Sequence, residues 1–400
     1  MLFFGLISLC QMLFLPGLLC LKLLKIETSS WLERSVYIMG LSLICNHFLV
    51  LGLAAVGFYT KPIVLFFIFA ECFTLFVLNR KEDSELNLCV PSANAFIEGT
   101  SSKTIFVLSL LLLSMASILS FAHLFLTNFG TVFHHWDDIV SWNRWAIAWA
   151  QTQSVADSSY YPQLLPANWS ISYLLMQNRD VPMFAKAIMP LFPLAIVLLL
   201  FDLFVKTRAV SWIIAVSIYT LALRFFWAND IITSGLVELP TSFFSFLAFY
   251  AILQVELKKQ RDSKLLVTLP LVFASGASLS KQGAIYILVA TCIWYGLHVF
   301  RNDRKNLWRR ISSSTALVLF LNSWYVIKQY RIMAGLEPNN LPYLTQTMHA
   351  GRTYAERWWH AWEMLANLQL PRIAPLFWMF ALLVVLSSFH RQGRVVFAAV

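Results

Sequence analysis

The sequence predicts an all-α integral membrane protein with about 11 transmembrane helices and large external loops that carry short amphipathic helices. Three observations predict it. Of the 400 residues 59% are hydrophobic and only 12% charged, with a mean hydropathy of +0.67, where a soluble domain is about a quarter charged. Apolar runs of spanning length recur along the chain. The basic residues gather in short segments between those runs.

A span needs roughly 20 apolar residues. That criterion places helices near 1–24, 35–58, 63–79, 104–126, 183–205, 209–228, 240–257, 265–280, 283–300, 312–330 and 373–390. The first lacks a basic leader and is long enough to span, so it reads as a retained helix. Segments 63–79 and 265–280 are short, as tilted or broken helices would be. The chain stops in a fresh apolar stretch, Val395–Val400, as a segment of a longer protein would. We divide the chain into N-terminal helices (1–103), a core (104–310) with an external loop at 127–182, and C-terminal helices (311–400) with an external loop at 331–372.

The net charge of +10 reports topology and not a nucleic-acid partner. Alternating the spans puts Lys22, Lys25, Arg34, Arg80, Lys81, Lys103, Lys206, Arg208 and the clusters 258–264, 301–310 and 391–394 on one side, which the positive-inside rule makes cytoplasmic. The far side receives 127–182, 229–239 and 331–372, with Asp137, Asp138, Glu238 and Glu363 among their acids. The six cysteines show no ligand or disulfide spacing.

Chemistry concentrates at His134-His135-Trp136-Asp137-Asp138. One carboxylate can deprotonate an acceptor hydroxyl, and either can hold a divalent cation, Mg or Mn, against a phosphate leaving group. Adjacent side chains diverge on a regular element, so one of the two is expected to face inward. The plain alternative is an acidic helix start, where aspartate favours the dipole. Trp142, Trp145 and Trp149 would fall on one side of the helix that follows, at headgroup level.

The acidic pair, then Tyr161-Pro162-Gln163-Leu164-Leu165-Pro166, Gly235-Leu236-Val237-Glu238-Leu239-Pro240 and Ser280-Lys281-Gln282-Gly283 resemble motifs of the GT-C superfamily of membrane glycosyltransferases. The resemblance covers roughly Thr104 to Arg310. It departs from the family pattern in placing about three spans before the catalytic loop's helix and in having Gln282 where a Glu is usual.

The resemblance implies transfer of a sugar from a polyprenyl-phosphate carrier to a glycan, lipid or protein acceptor, with inversion, at the periplasmic face of a bacterial inner membrane. It implies Asp137 first and Asp138 second as base or metal ligand, with Glu238 as a supporting acid. Lys281, Arg352 and Arg357 would bind the donor phosphate, and His135, Trp136 and Tyr161 would line the acceptor side or support the acids. Lys281 reads equally as a lysine snorkelling to water, and the arginines as headgroup contacts beside Trp358, Trp359 and Trp362. A lipid-linked oligosaccharide polymerase or ligase, with Arg352 critical, is the alternative enzyme; a transporter or flippase is the alternative class.

Intramembrane polar groups need partners, since a charge at a helix centre costs about 2.5–3.5 kcal/mol. His47 and Glu71 fall mid-span on neighbouring helices and are expected to meet. Lys186, Asp202, Arg224 and Lys328 lie near span ends, where snorkelling suffices. Asn168-Trp169-Ser170 matches a glycosylation tripeptide, expected to be unused.

Overall fold

The computed structural model describes residues 1–81, 101–151, 158, 161–207, 209–223, 232–258 and 264–334, with single positions at 356, 359, 362, 363 and 366. Arg352, Arg357, Arg224 and the expected span 373–390 lie outside the described residues. Those described form helices joined by turns, with no strand among them. Seven helical segments are long and apolar enough to cross a membrane: Leu2–Leu23, Trp31–Ala55, Lys61–Arg80, Leu111–Asn128, Met183–Thr207, Glu238–Glu256 and Gln282–Asn302. The chain is a multi-pass, membrane-embedded helical protein.

The first span is two helices, α1 (Leu2–Leu13) and α2 (Leu15–Leu23). Pro16 causes the break, because its ring collides with the carbonyl four residues back and it has no N–H to give. The next residue, Gly17, lies against α3 (Trp31–Ala55), its N–H donating to Ser42 Oγ at 2.9 Å. α3 starts on a reciprocal cap: Ser30 Oγ accepts from Glu33 N, and Glu33 Oε2 accepts from Ser29 N, each at 3.0 Å. α4 (Lys61–Lys81) and α5 (Ser101–Asn128) follow.

After α5 the chain turns through a π-helical stretch, Asp138–Asn143, into α6 (Arg144–Ala150), then α7 (Leu164–Met176). This is the loop expected to lie outside on amphipathic helices, and α7 corrects that expectation. All of α7 except Leu174 is buried, because LLPANWSISYLLM is apolar or small on every side, and such a helix belongs inside a bundle. It packs against α1, α3 and α6. Polar pins fix its register: Ser172 Oγ with Ser8 Oγ at 2.8 Å, Ser170 Oγ with Tyr59 Oη at 2.7 Å, and Asn168 Nδ2 to Leu43 O at 2.9 Å. Asn168 is therefore enclosed, as an unused tripeptide requires.

A short turn, α8 (Met183–Lys186), leads into α9 (Leu191–Thr207) and α10 (Val210–Leu221). α11 (Glu238–Lys258) and α12 (Lys264–Ser280) pair along their lengths, with Gly276 giving Phe244 its place. α13 (Ile285–Asn302), α14 (Leu307–Leu321) and α15 (Ser323–Met333) complete the described bundle.

Three expectations about polar groups fail. Asp202 does not snorkel: it is 1% exposed, and with buried Glu33 it shares Lys206 Nζ, which is 2.7 Å from Glu33 Oε2 and 2.8 Å from Tyr250 Oη. This cluster ties α3, α9 and α11 together at the end carrying the basic segments. Lys186 and Lys328 are also buried. His47 and Glu71 do not meet: Glu71 Oε1 takes Gln11 Nε2 at 3.4 Å, and His47 lies against the Gln163 backbone. The side chain of Gln11, opposite on α1, reaches the carboxylate instead.

The candidate site at the acidic pair

Asp137 immediately precedes the π-helical turn that Asp138 opens, without a capping hydrogen bond from its side chain. The wider turn sends the two side chains apart, as the adjacency predicts. Asp137 is exposed, with His134, His135 and Trp136; Asp138 is 0% exposed. π-helical turns are rare and concentrate at functional sites.

Asp138 reaches across 97 residues of sequence. Its Oδ2 accepts the Gly235 N–H at 2.8 Å, while Oδ1 is buried with no partner. Gly235 tolerates no side chain: a Cβ there would sit 2.6 Å from Trp169 and 2.7 Å from Phe133. Trp169, on the buried α7, thus forms the floor on which this turn rests. Burial pushes the Asp138 carboxyl above its usual range, opposed by the Gly235 N–H, His135, His134 and Lys186. Lys186 Nζ donates to Thr131 Oγ1 at 3.1 Å and to the Val132 carbonyl, holding the chain just before the acidic pair.

A carboxyl whose folded pKa is raised binds its proton more tightly in the folded state. Stability should therefore fall as pH rises from the ordinary value of 3.8 through the folded one. Thermal melts across that window should show the decline in the native chain and a flatter profile in Asp138→Asn.

Three residues past Gly235, at most about 11 Å of chain, stands Glu238. Its Oε1 is 2.6 Å from Lys281 Nζ, and its Oε2 is buried and unpartnered. Two stretches singled out by the same family resemblance, 235–240 and 280–283, therefore meet, and the Gly235 hydrogen bond joins them to the acidic pair. Both partners are about two-fifths exposed (39% and 44%), and ion pairs of this kind contribute about 1 kcal/mol or less. Glu238→Gln or Lys281→Met should move the melting temperature by no more than a few degrees. A larger activity change in either would then be a site effect.

Other expectations divide. Tyr161 meets Trp142 edge to face and Trp145 at a tilt, at ring separations of 5.6 and 5.7 Å, and its carbonyl accepts Trp324 Nε1 at 3.1 Å; its ring is packing. Trp142, Trp145 and Trp149 are at most 6% exposed, so they are core residues and not a headgroup belt. Trp149 Nε1 donates to Gln163 Oε1 at 3.1 Å. The reason is α7: its burial draws α6 inward with it.

A resident divalent cation does not fit. Asp137 and Asp138 point apart, Asp138 offers one free oxygen, and the ammonium of Lys186 acts on that carboxyl. Among the described residues no three acid, His or Cys side chains gather as ligands. A cavity of about 550 Å³ opens beside α6 and the end of α7, lined by Ile147, Gln151, Tyr173, Gln177, Asn178 and Asp180 among others. None of the predicted acids or cations lines it.

Sequence reasoning missed Lys186 and the Gly235 N–H. Gly235 was visible as part of a turn motif, but its role belongs to the backbone. Lys186 carried one signal, a lone lysine with no basic neighbour in an apolar run.

No family model, curated protein or solved structure matches the chain significantly.

Proposed function

We propose that this chain is a membrane glycosyltransferase of GT-C type, transferring a sugar from a polyprenyl-phosphate carrier to an acceptor at the periplasmic face of a bacterial inner membrane. One observation carries the reading: the Asp138–Gly235 hydrogen bond draws an exposed acid, Asp137, and an accessible cation, Lys281 with its partner Glu238, toward one turn. Polyprenyl-phosphate transfer asks for these groups. A carboxylate takes the proton of the acceptor hydroxyl as its oxygen attacks the anomeric carbon, and a cation holds the departing phosphate.

Asp137 is the base because it is exposed, and a fully enclosed Asp138 cannot touch an acceptor. Asp138 is the positioning residue that locks the turn. Lys281, held by Glu238, meets the phosphate as a point charge; Arg352 and Arg357 remain proposed phosphate ligands. The cavity beside α6, walled by the amides of Gln151, Gln177 and Asn178, by Tyr173 and by the charged Arg179 and Asp180, begins about 14 Å along the helical path from Asp138 to Ile147, and suits the distal, polar part of a glycan acceptor. The shorter apolar helices Val210–Leu221 and Leu265–Ser280, the α14–α15 segment and the stretch 373–390 bring the spans to about 11.

The test is incubation of membranes containing the chain with a panel of radiolabelled polyprenyl-phosphate monosaccharides. Release of carrier phosphate coupled to appearance of glycosylated acceptor supports the reading. Equal release from membranes without the chain overturns it.

A further inference from the structure

We infer that Glu71, at the centre of α4, is a proton-binding site inside the membrane, holding its proton on Oε2 against the buried carboxamide oxygen of Gln11. This is independent of the proposed transfer chemistry.

Glu71 lies about 15 Å from either end of α4, at the middle of a bilayer core. It continues the inward stripe Val64, Ile68 and Leu75, while Phe66, Phe69, Phe73 and Phe76 face outward. The groups it meets on α1 and α3 are neutral. Gln11 Nε2 donates to Asn46 Oδ1 at 3.0 Å and to Glu71 Oε1 at 3.4 Å, and Asn46 Nδ2 returns to the Gln11 carbonyl at 3.0 Å. The amide orientation is thereby fixed: turning Gln11 over would set its oxygen against two acceptors.

That arrangement leaves two oxygens stranded. Gln11 Oε1 and Glu71 Oε2 are both buried and both lack a donor. A pair of buried acceptors without a donor is costly, and buried polar groups are otherwise almost always paired. One proton on Glu71 Oε2 answers both, since an acid and a carboxamide meeting edge to edge exchange N–H and O–H hydrogen bonds in a closed ring.

Among the described residues no basic side chain pairs with Glu71. Lys22, packed against α4, donates to Asn79; His47 lies against the Gln163 backbone and not against Glu71; and the ionisable neighbours in electrostatic reach are the Cys45 and Cys72 thiols. An intramembrane acid without a cation is a site where a proton can be kept and exchanged.

Dicyclohexylcarbodiimide partitions into bilayers and reacts with carboxyls in their protonated form. Membranes holding the full chain, treated near neutral pH and analysed by peptide mass spectrometry, should carry the adduct on Glu71, with none at that position in Glu71→Gln. The same chain unfolded in detergent before treatment controls for the reagent. Glu71→Gln, an isostere of the protonated acid whose amide can donate to Gln11 Oε1, should melt within a few degrees of the native chain. An unlabelled Glu71 in the folded chain, or a Glu71→Gln variant that loses the fold, would overturn the assignment.

Discussion

Asp137→Asn should lower sugar transfer by roughly 10²–10⁴-fold, the contribution expected of a general base, while the folded chain melts as the native one does. Asp137 is exposed, and the buried scaffold beneath it does not depend on its charge. Asp138 gives the contrast. In Asp138→Asn the side-chain oxygen still accepts the Gly235 N–H, so much of the activity should remain. In Asp138→Ala that N–H loses its partner, and a stranded buried donor costs about 1–3 kcal/mol. Transfer rate and melting temperature measured on all three variants separate the roles. If Asp138→Asn were the inactive variant with normal folding, and Asp137→Asn the active one, the assignment of base would be reversed.

The second large effect is structural. Gly17→Ala should destabilise the chain by about 2–4 kcal/mol, combining overpacking with loss of a buried hydrogen bond. A Cβ on Gly17 would stand 2.0 Å from the Ile38 carbonyl oxygen and 2.6 Å from Ser42 Oγ. The first obstacle is backbone, which cannot rotate aside, so α2 and α3 would have to separate. Their separation would also break the Gly17 N–H contact to Ser42. Gly52, on the same α3, has nothing within 4 Å of a built Cβ, and Gly52→Ala should be neutral or gain up to about 1 kcal/mol in helix propensity. Thermal unfolding in detergent distinguishes a crowded glycine from an open one. Equal melting of the two variants would mean that the α2–α3 contact is looser than its geometry.

What the sequence disclosed followed physical scale. Spans were legible because twenty apolar residues in a row have few other uses, and the helices at 31–55, 61–81, 101–128 and 238–258 fall where hydropathy put them. α7 escaped because 13 residues are too few to span, so a rule based on spanning length assigned them to a loop. Trp142, Trp145 and Trp149 were misplaced for the same reason: they line a helix that follows α7 inward. At the site, Asp137, Asp138, Glu238 and Lys281 were legible as residue types in turns. The divergence of the acids followed from adjacency, but which of them faced inward did not. That depended on Gly235, a partner 97 residues away whose contribution is a backbone N–H. Lys186 and Asp202 look like ordinary end-of-span charges until their buried neighbours are seen. His47 and Glu71 showed that equal depth does not make contact, because rotation about each helix axis decides which neighbour is faced.

The enclosed α7 bears on how the chain is made. A segment of 13 residues cannot be threaded through a bilayer and left there as its neighbours are, so it must arrive from the aqueous side once the surrounding helices stand. Ser8, Tyr59 and Leu43, which receive it, belong to segments synthesised about a hundred residues or more earlier, and they must wait without their partners. The floor under Gly235 is therefore laid only after the segments that receive it, and the acidic pair takes up its arrangement once the bundle has closed around α7.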